Sequence, residues 1–278
     1  MSRKSPVKVG YRGTNNAGQD FTVVECTGRR GRNTYFLVAF DGFEDKLQEY
    51  RLNSIREGSI KNAYYPIVFG VGCRGELRVK SDDPEHKFFK DMYIRWHAML
   101  DRCYNPNHNL YKSYGAKGVY VSDEWLNFSN YYVWIRGELS KVFNLYQQLE
   151  IDFMVDKDLR IPGNKVYSSE TCCVLPSEIN RFIAHKRYNA DTGLVGIMKF
   201  KNYAAKPYAF NKNTGTNKIY FYATLEEAKR AFDNHFYDRL NFLMFKYRYV
   251  LTSEEVRLLN NFVVEDYATC DEDEECNE

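Results

Sequence analysis

The chain has 278 residues, 44% of them hydrophobic and 16% aromatic, which is enough for two domains or three small modules with packed cores. No apolar run approaches the roughly 18 residues of a membrane span, and the start, MSRKSPVKVGYRG, has positive charge but no apolar core segment, so neither a membrane protein nor a secretory leader is expected. The formal charge of +2 hides a split: residues 1–80 carry 14 Lys/Arg against 8 Asp/Glu, 191–262 carry 11 against 7, and the last sixteen residues, VVEDYATCDEDEECNE, carry eight acids and no base.

A basic body with an acidic tail points to a polyanionic partner, or to a tail that competes for the same surface. The seven cysteines, 26, 73, 103, 172, 173, 270 and 276, are odd in number and form no CxxC pair. They read as reduced thiols, mostly small apolar core residues. Cys270 and Cys276 stand apart because they flank the acidic run CDEDEEC.

Residues 1–80 read as a β-rich N-terminal module, a small barrel or curled sheet. VKVGY (7–11), FTVVECT (21–27) and NTYFLVAF (33–40) are rich in β-branched and aromatic residues and are separated by Gly/Asn turns. Arg29, Arg30 and Arg32 form the densest basic cluster, on the turn TGRRGRN. The glycines of FGVGCRG have no strand-to-helix unit after them and read as bulges and tight turns, not as a nucleotide fingerprint.

After the polar joint SDDPEHK, residues 86–104 place Phe89, Met92, Tyr93, Trp96, Met99, Leu100 and Cys103 at helical spacing. VYV is a short strand. A second helix is predicted over 122–139, with Ser122 or Asp123 as its cap. MVDKDLRIPGNKVYSSETCCVLPSEIN (154–180) then reads as a hairpin around IPGNK and a helix from Pro176. The last module, 190–262, reads as three strands, in GLVGIMKF, KPYAFNK and NKIYFYA. A capping box, Thr224 to Glu227, opens a long helix to about Tyr247, and a second, Thr252 to Glu255, opens a short helix through Phe262. Residues 263–278 are expected to be a disordered acidic tail.

Two stretches resemble known families. The segment HAMLDRCYNPNHNLYKSYGAKGVYVSDEWLNFSNY, followed by DKDLRIPGNKVYSSETCCVLPSEIN, is similar to phage-encoded HNH-type homing-endonuclease-like proteins, and YSSETC…N resembles their YSPENC…N signature. YAFNKNTGTNKIYFYATLEEAKRAFDNHFYDRL resembles an AP2-type DNA-binding domain, a three-stranded sheet on a helix. Together the two cover roughly 95–262. The resemblance implies an α+β protein with an N-terminal β-module (1–80), a helix-rich HNH-like ββα module (86–185) and an AP2-like sheet-and-helix module (190–262).

It also implies where an HNH site would lie. Asp156 falls at the acidic metal ligand, Lys157 at the base histidine, Thr171 at the central asparagine and Asn180 at the final histidine or asparagine. A lysine is protonated at neutral pH and repels a cation, so it serves as neither base nor metal partner. Alternation along a strand would put Asp152, Asp156 and Asp158 on one face, as oxygen ligands for a hard cation. Of the five histidines, His97 and His185 lie nearest in sequence to this region.

The expected function is a phage-encoded binding protein on a homing-endonuclease-like frame that has lost cleavage, acting on DNA in the host cytoplasm. No cofactor is expected. One alternative is an active HNH-like DNA endonuclease using Mg²⁺. The other is an anti-defence protein that binds a host nucleic-acid-binding or defence protein; in size and aromatic-rich modular build the chain resembles phage anti-Gabija proteins. Candidate binding residues are Arg29, Arg30, Arg32, Lys199, Lys201, Tyr203, Lys206, Lys212 and Lys218. Arginine is absent between 187 and 230, which favours phosphate contact over bidentate guanine readout. The wealth of Tyr and Phe also allows a homo-oligomer.

Overall fold

The computed structural model describes residues 6–140, 142–184, 188–189, 191–211 and 219–263. Lys212, Lys218, His185, Cys270, Cys276 and the acidic tail from 264 lie outside them. The chain is α+β and divides into two compact units: residues up to Gly115 with Asp123–Tyr132, and Ala116–Ser122 with the chain from Val133. No described helix is long and apolar enough to cross a membrane.

The first unit begins with an antiparallel meander of β1 (Arg12–Thr14), β2 (Asp20–Arg30), β3 (Asn33–Phe40) and β4 (Phe43–Arg51), paired in chain order. The ladder is open at β1 and β4, so it is a sheet and not a closed barrel. Alternation in FTV and FLVAF turns Phe21, Val23, Phe36, Val38 and Phe40 to one side, where they are buried with Ile55 and Ile60. The first strand lies later than VKVGY suggested, because Gly10 adopts φ 84° and breaks the extended run. β4 gives little apolar signal; only Gln48 is buried along it. Helix α1 (Leu52–Glu57) ends in a left-handed cap at Gly58.

A second core forms around helix α2 (His86–Tyr104), which buries Phe88, Phe89, Met92, Trp96, Met99, Leu100 and Cys103. Trp96 Nε1 donates to the Trp125 carbonyl at 2.7 Å, and the Phe128 ring packs against Phe89, Tyr93 and Trp96. Helix α3 (Phe128–Glu138) starts later than the predicted cap. The backbone at 126–128 is bonded to Cys73 instead: Cys73 N–H donates to the Leu126 carbonyl and Phe128 N–H to the Cys73 carbonyl. The FGVGCRG stretch is a tight turn, with Gly70 at φ 73°, and Gly72 presses against Trp96 and Leu100.

The second unit contains α4 (Phe143–Gln148), for which no sequence signal was read. β5 (Tyr120–Val121) pairs parallel with β7 (Val166–Tyr167), and β6 (Phe153–Asp156) pairs antiparallel with β8 (Cys173–Pro176). IPGNK is therefore part of a wide connection between β6 and β8, not the turn of a short hairpin. α5 (Ser177–Ala184) follows β8 directly. β9 (Tyr188–Asn189) pairs with β10 (Leu194–Val195). β11 (Met198–Lys199), β12 (Tyr208–Asn211) and β13 (Ile219–Tyr222) form a three-stranded antiparallel sheet.

α6 (Leu225–Lys246) and α7 (Ser253–Asn260) complete the unit, and both expected capping boxes form at Thr224 and Thr252. The buried face of α6 comprises Ala228, Phe232, Phe236, Leu240 and Leu243. It shares one core with Leu175, Ile179 and Ile183 of the strand–helix segment and with Phe210 of the sheet. Cys73, Cys103, Cys172 and Cys173 are buried, whereas Cys26 is exposed.

Candidate functional site

β6, β8 and α5 form a strand–strand–helix frame. Its corner is tied by Ser177, whose N–H donates to the Asp152 carbonyl at 2.9 Å and whose hydroxyl donates to the Asp152 carboxylate at 2.7 Å. The side chains at the positions of interest are spent on holding the connection between the strands. Asp156, the last residue of β6, is buried, and its Oδ1 accepts from the Asp158 and Leu159 amides at 2.9 and 2.6 Å. Burial holds this carboxyl above the usual aspartate range, although the two amides favour the charged form.

The Lys157 side chain is only 11% exposed, and its ammonium donates to Asp158 Oδ1 at 2.5 Å and to the Asn164 carbonyl at 2.7 Å. Asn164 returns the contact, donating to the Lys157 carbonyl at 2.9 Å and to the Val166 carbonyl at 2.6 Å. The Thr171 hydroxyl donates to the Val166 carbonyl at 2.7 Å, closing the turn before β8. Asn180 on α5 donates to Met154 Sδ at 3.3 Å and so braces helix against strand. Tyr167, Cys172, Cys173 and Val174 are all buried packing residues. Burial pushes the Cys172 thiol up to about 12, which leaves it unreactive at neutral pH.

The expectation that Asp152, Asp156 and Asp158 share a strand face is corrected. β6 ends at Asp156, Asp152 precedes it and bonds Ser177, and Asp158 lies in the turn beyond, against Lys157. Among the described residues no three His, Cys, Asp or Glu side chains converge on a metal-sized site. The donor set does not fit the Mg²⁺ of an HNH centre, because one carboxylate is committed to backbone amides and an ammonium stands beside the next. His97 packs against Phe69, ring centroids 4.9 Å apart, in the first unit.

The frame is fastened to the long helix by Glu178, a residue given no role by its sequence context. Its carboxylate accepts from Arg239 at 2.8 Å, from Lys246 at 2.5 Å and from the Tyr247 hydroxyl at 2.7 Å. Arg160 likewise carries no local sequence signal: its partners, the Ser169 carbonyl and Glu254, are 9 and 94 residues away.

The basic candidates are dispersed. Lys199, Lys201, Tyr203 and Lys206 are exposed along β11 and the turn into β12. Lys199 lies opposite Tyr208 in the ladder, its ammonium 5.9 Å from that ring. At the β2–β3 tip, Arg29 and Arg32 are exposed. Arg30 is engaged by Glu49 through two bonds of 2.5 and 2.9 Å and lies over the Tyr35 ring. The chain matches no family profile, no curated protein and no solved structure.

Proposed function

We propose that this chain is a phage-encoded DNA-binding protein built on a homing-endonuclease-like frame that no longer cuts. The observation that carries the loss of cleavage is Lys157, at the position of the base, with its ammonium held by Asp158 and the Asn164 carbonyl. A cation fixed in that way accepts no proton from water. Support for binding comes from the exposed lysines and Tyr203 on the three-stranded sheet, and from Arg29 and Arg32 on the β2–β3 tip. Duplex DNA should be retained at low salt, with log affinity falling linearly against log salt in proportion to the phosphates neutralised. No retention of duplex or single-stranded nucleic acid at low salt sinks the reading. Nicking with Mg²⁺ or Mn²⁺, lost in Asp156→Ala, would restore the nuclease alternative.

A second reading, a phage protein that binds a host defence protein, rests on the C-terminal end of α6 and the turn after it. Phe242 and Phe245 on α6 and Tyr249 in the turn are 53%, 66% and 66% exposed, with the Arg248 guanidinium over both Phe245 and Tyr249. Aromatics and arginine are the residues on which protein interfaces concentrate their binding energy. A host protein co-purified after nuclease treatment, and lost in Phe245→Ala, supports this reading over the first.

A further inference from the structure

The sheet of β11, β12 and β13 has two unlike faces. Tyr208 and Tyr222 are cross-strand partners and pack with Phe210 into the core under α6. On the other face the register pairs Ala209 with Met198 on one side and with Phe221 on the other. The turn from β11 to β12 carries Tyr203 onto Phe221, with ring centroids 4.5 Å apart and planes 26° from parallel. Phe200 stands edge-on to both, 5.5 Å from Phe221 and 6.1 Å from Tyr203.

Tyr203 is nevertheless 53% exposed while its ring lies on Phe221, so much of its surface is left to solvent. The turn is bonded to itself: Phe200 N–H donates to the Pro207 carbonyl at 2.8 Å, and Lys206 N–H to the Tyr203 carbonyl at 3.0 Å. Lys201 and Lys206 flank the ring in the same turn. Both are exposed, without an ion-pair partner among the described residues.

A duplex offers base edges and phosphates to a protein, and its base faces are already stacked. An exposed ring held flat recognises a base face, which only an unpaired base supplies. Two exposed lysines in the same turn, two residues before Tyr203 and three after it, suit the phosphates on either side of such a base. We infer that Phe200, Tyr203 and Phe221 form a stacking platform for an unpaired nucleobase, and that the preferred ligand of this surface is single-stranded nucleic acid. The inference rests on the nucleic-acid-binding reading above and narrows its substrate class.

The test is fluorescence anisotropy of the full chain with a labelled oligothymidylate, an oligouridylate and a blunt duplex of equal length, at low and moderate salt. A parallel strand carries a fluorescent adenine analogue whose emission falls on stacking. Single strands should bind more tightly than the duplex and quench the analogue; preference between the two homopolymers identifies DNA or RNA as the source. Tyr203→Ala should lose about tenfold on single strands and abolish the quench, whereas Tyr203→Phe, which keeps the ring, should retain both. Lys201→Ala with Lys206→Ala should lower the salt slope. Because Tyr203 is exposed, its variants are checked for an unchanged unfolding midpoint. Duplex bound more tightly than single strands, or single-strand binding unmoved in Tyr203→Ala, overturns this inference and leaves duplex recognition standing. No binding to any of the three overturns both.

Discussion

Lys157 and Asn164 hold each other from both ends: the lysine ammonium donates to the Asn164 carbonyl at 2.7 Å, and the Asn164 amide donates to the Lys157 carbonyl at 2.9 Å. This reciprocal pair closes the loop between β6 and β7. Lys157→Ala should cost about 1.5–3 kcal/mol in urea unfolding, the range for a hydrogen bond to a charged group. Lys157→His should destabilise comparably and gain no nuclease activity, since Asp156 stays committed to two amides. Metal-dependent nicking by Lys157→His would overturn the reading that this frame only binds.

Glu178 gives a pH-dependent counterpart. Burial pushes its carboxyl up, but hydrogen bonds from Lys246 and Tyr247 and the charges of Lys246 and Arg239 outweigh that, leaving it below the ordinary value of 4.5. A carboxyl depressed on folding adds stability above its unfolded value and loses it as pH falls through the folded value. Glu178→Gln should therefore cost about 1 kcal/mol at neutral pH, discounted because a third of the side chain meets water. The difference from the parent should shrink in acid below the ordinary carboxyl range. A cost that is constant from neutral to acid pH would assign Glu178 a packing role only.

Two glycines should respond in opposite directions. A Cβ on Gly72 would lie 2.5 Å from Leu100 Cδ1 and 2.9 Å from Trp96 Cη2, both in the α2 core, whereas a Cβ on Gly137 within α3 would meet nothing within 4 Å. Gly72→Ala should lose about 1–3 kcal/mol by overpacking. Gly137→Ala, in the last turn of α3, should gain about 0.4–1 kcal/mol by restricting the unfolded chain at a position whose conformation alanine adopts. Thermal unfolding of the two variants side by side checks both signs.

What could be read from the sequence follows how local each signal is. Helix α2 was legible because seven of its apolar residues recur at helical spacing, and α6 because Thr224 and Glu227 make a capping box four residues long. α3 was read too early because Trp125 and Leu126 look helical, yet the Cys73 backbone fifty residues earlier claims that stretch. β4 was missed because a half-exposed strand of charged residues has almost no apolar alternation. At the candidate site the residue types were legible, but their commitments were not. Asp156 reads as a metal ligand until its turn geometry is known, and Phe221 has no visible tie to Tyr203, eighteen positions away.

The arginines of the β2–β3 tip make the last prediction. Arg30 and Glu49 form two bonds across the sheet, and Glu49 is held below its usual range first by that guanidinium and then by the Thr27 hydroxyl. Arg32 has no such partner among the described residues and is exposed in the turn. If this tip contacts phosphate, Arg32→Ala should weaken nucleic-acid binding and reduce the salt slope by about one. Arg30→Ala should leave the slope nearly unchanged and instead loosen the hairpin, seen as faster amide exchange from Thr27 to Tyr35. Glu49→Ala should release Arg30 and steepen the slope, because a guanidinium no longer occupied by a carboxylate is available to a phosphate. Equal slope losses in Arg30→Ala and Arg32→Ala would mean that the Glu49 pair opens on binding and that all three arginines act as one basic patch.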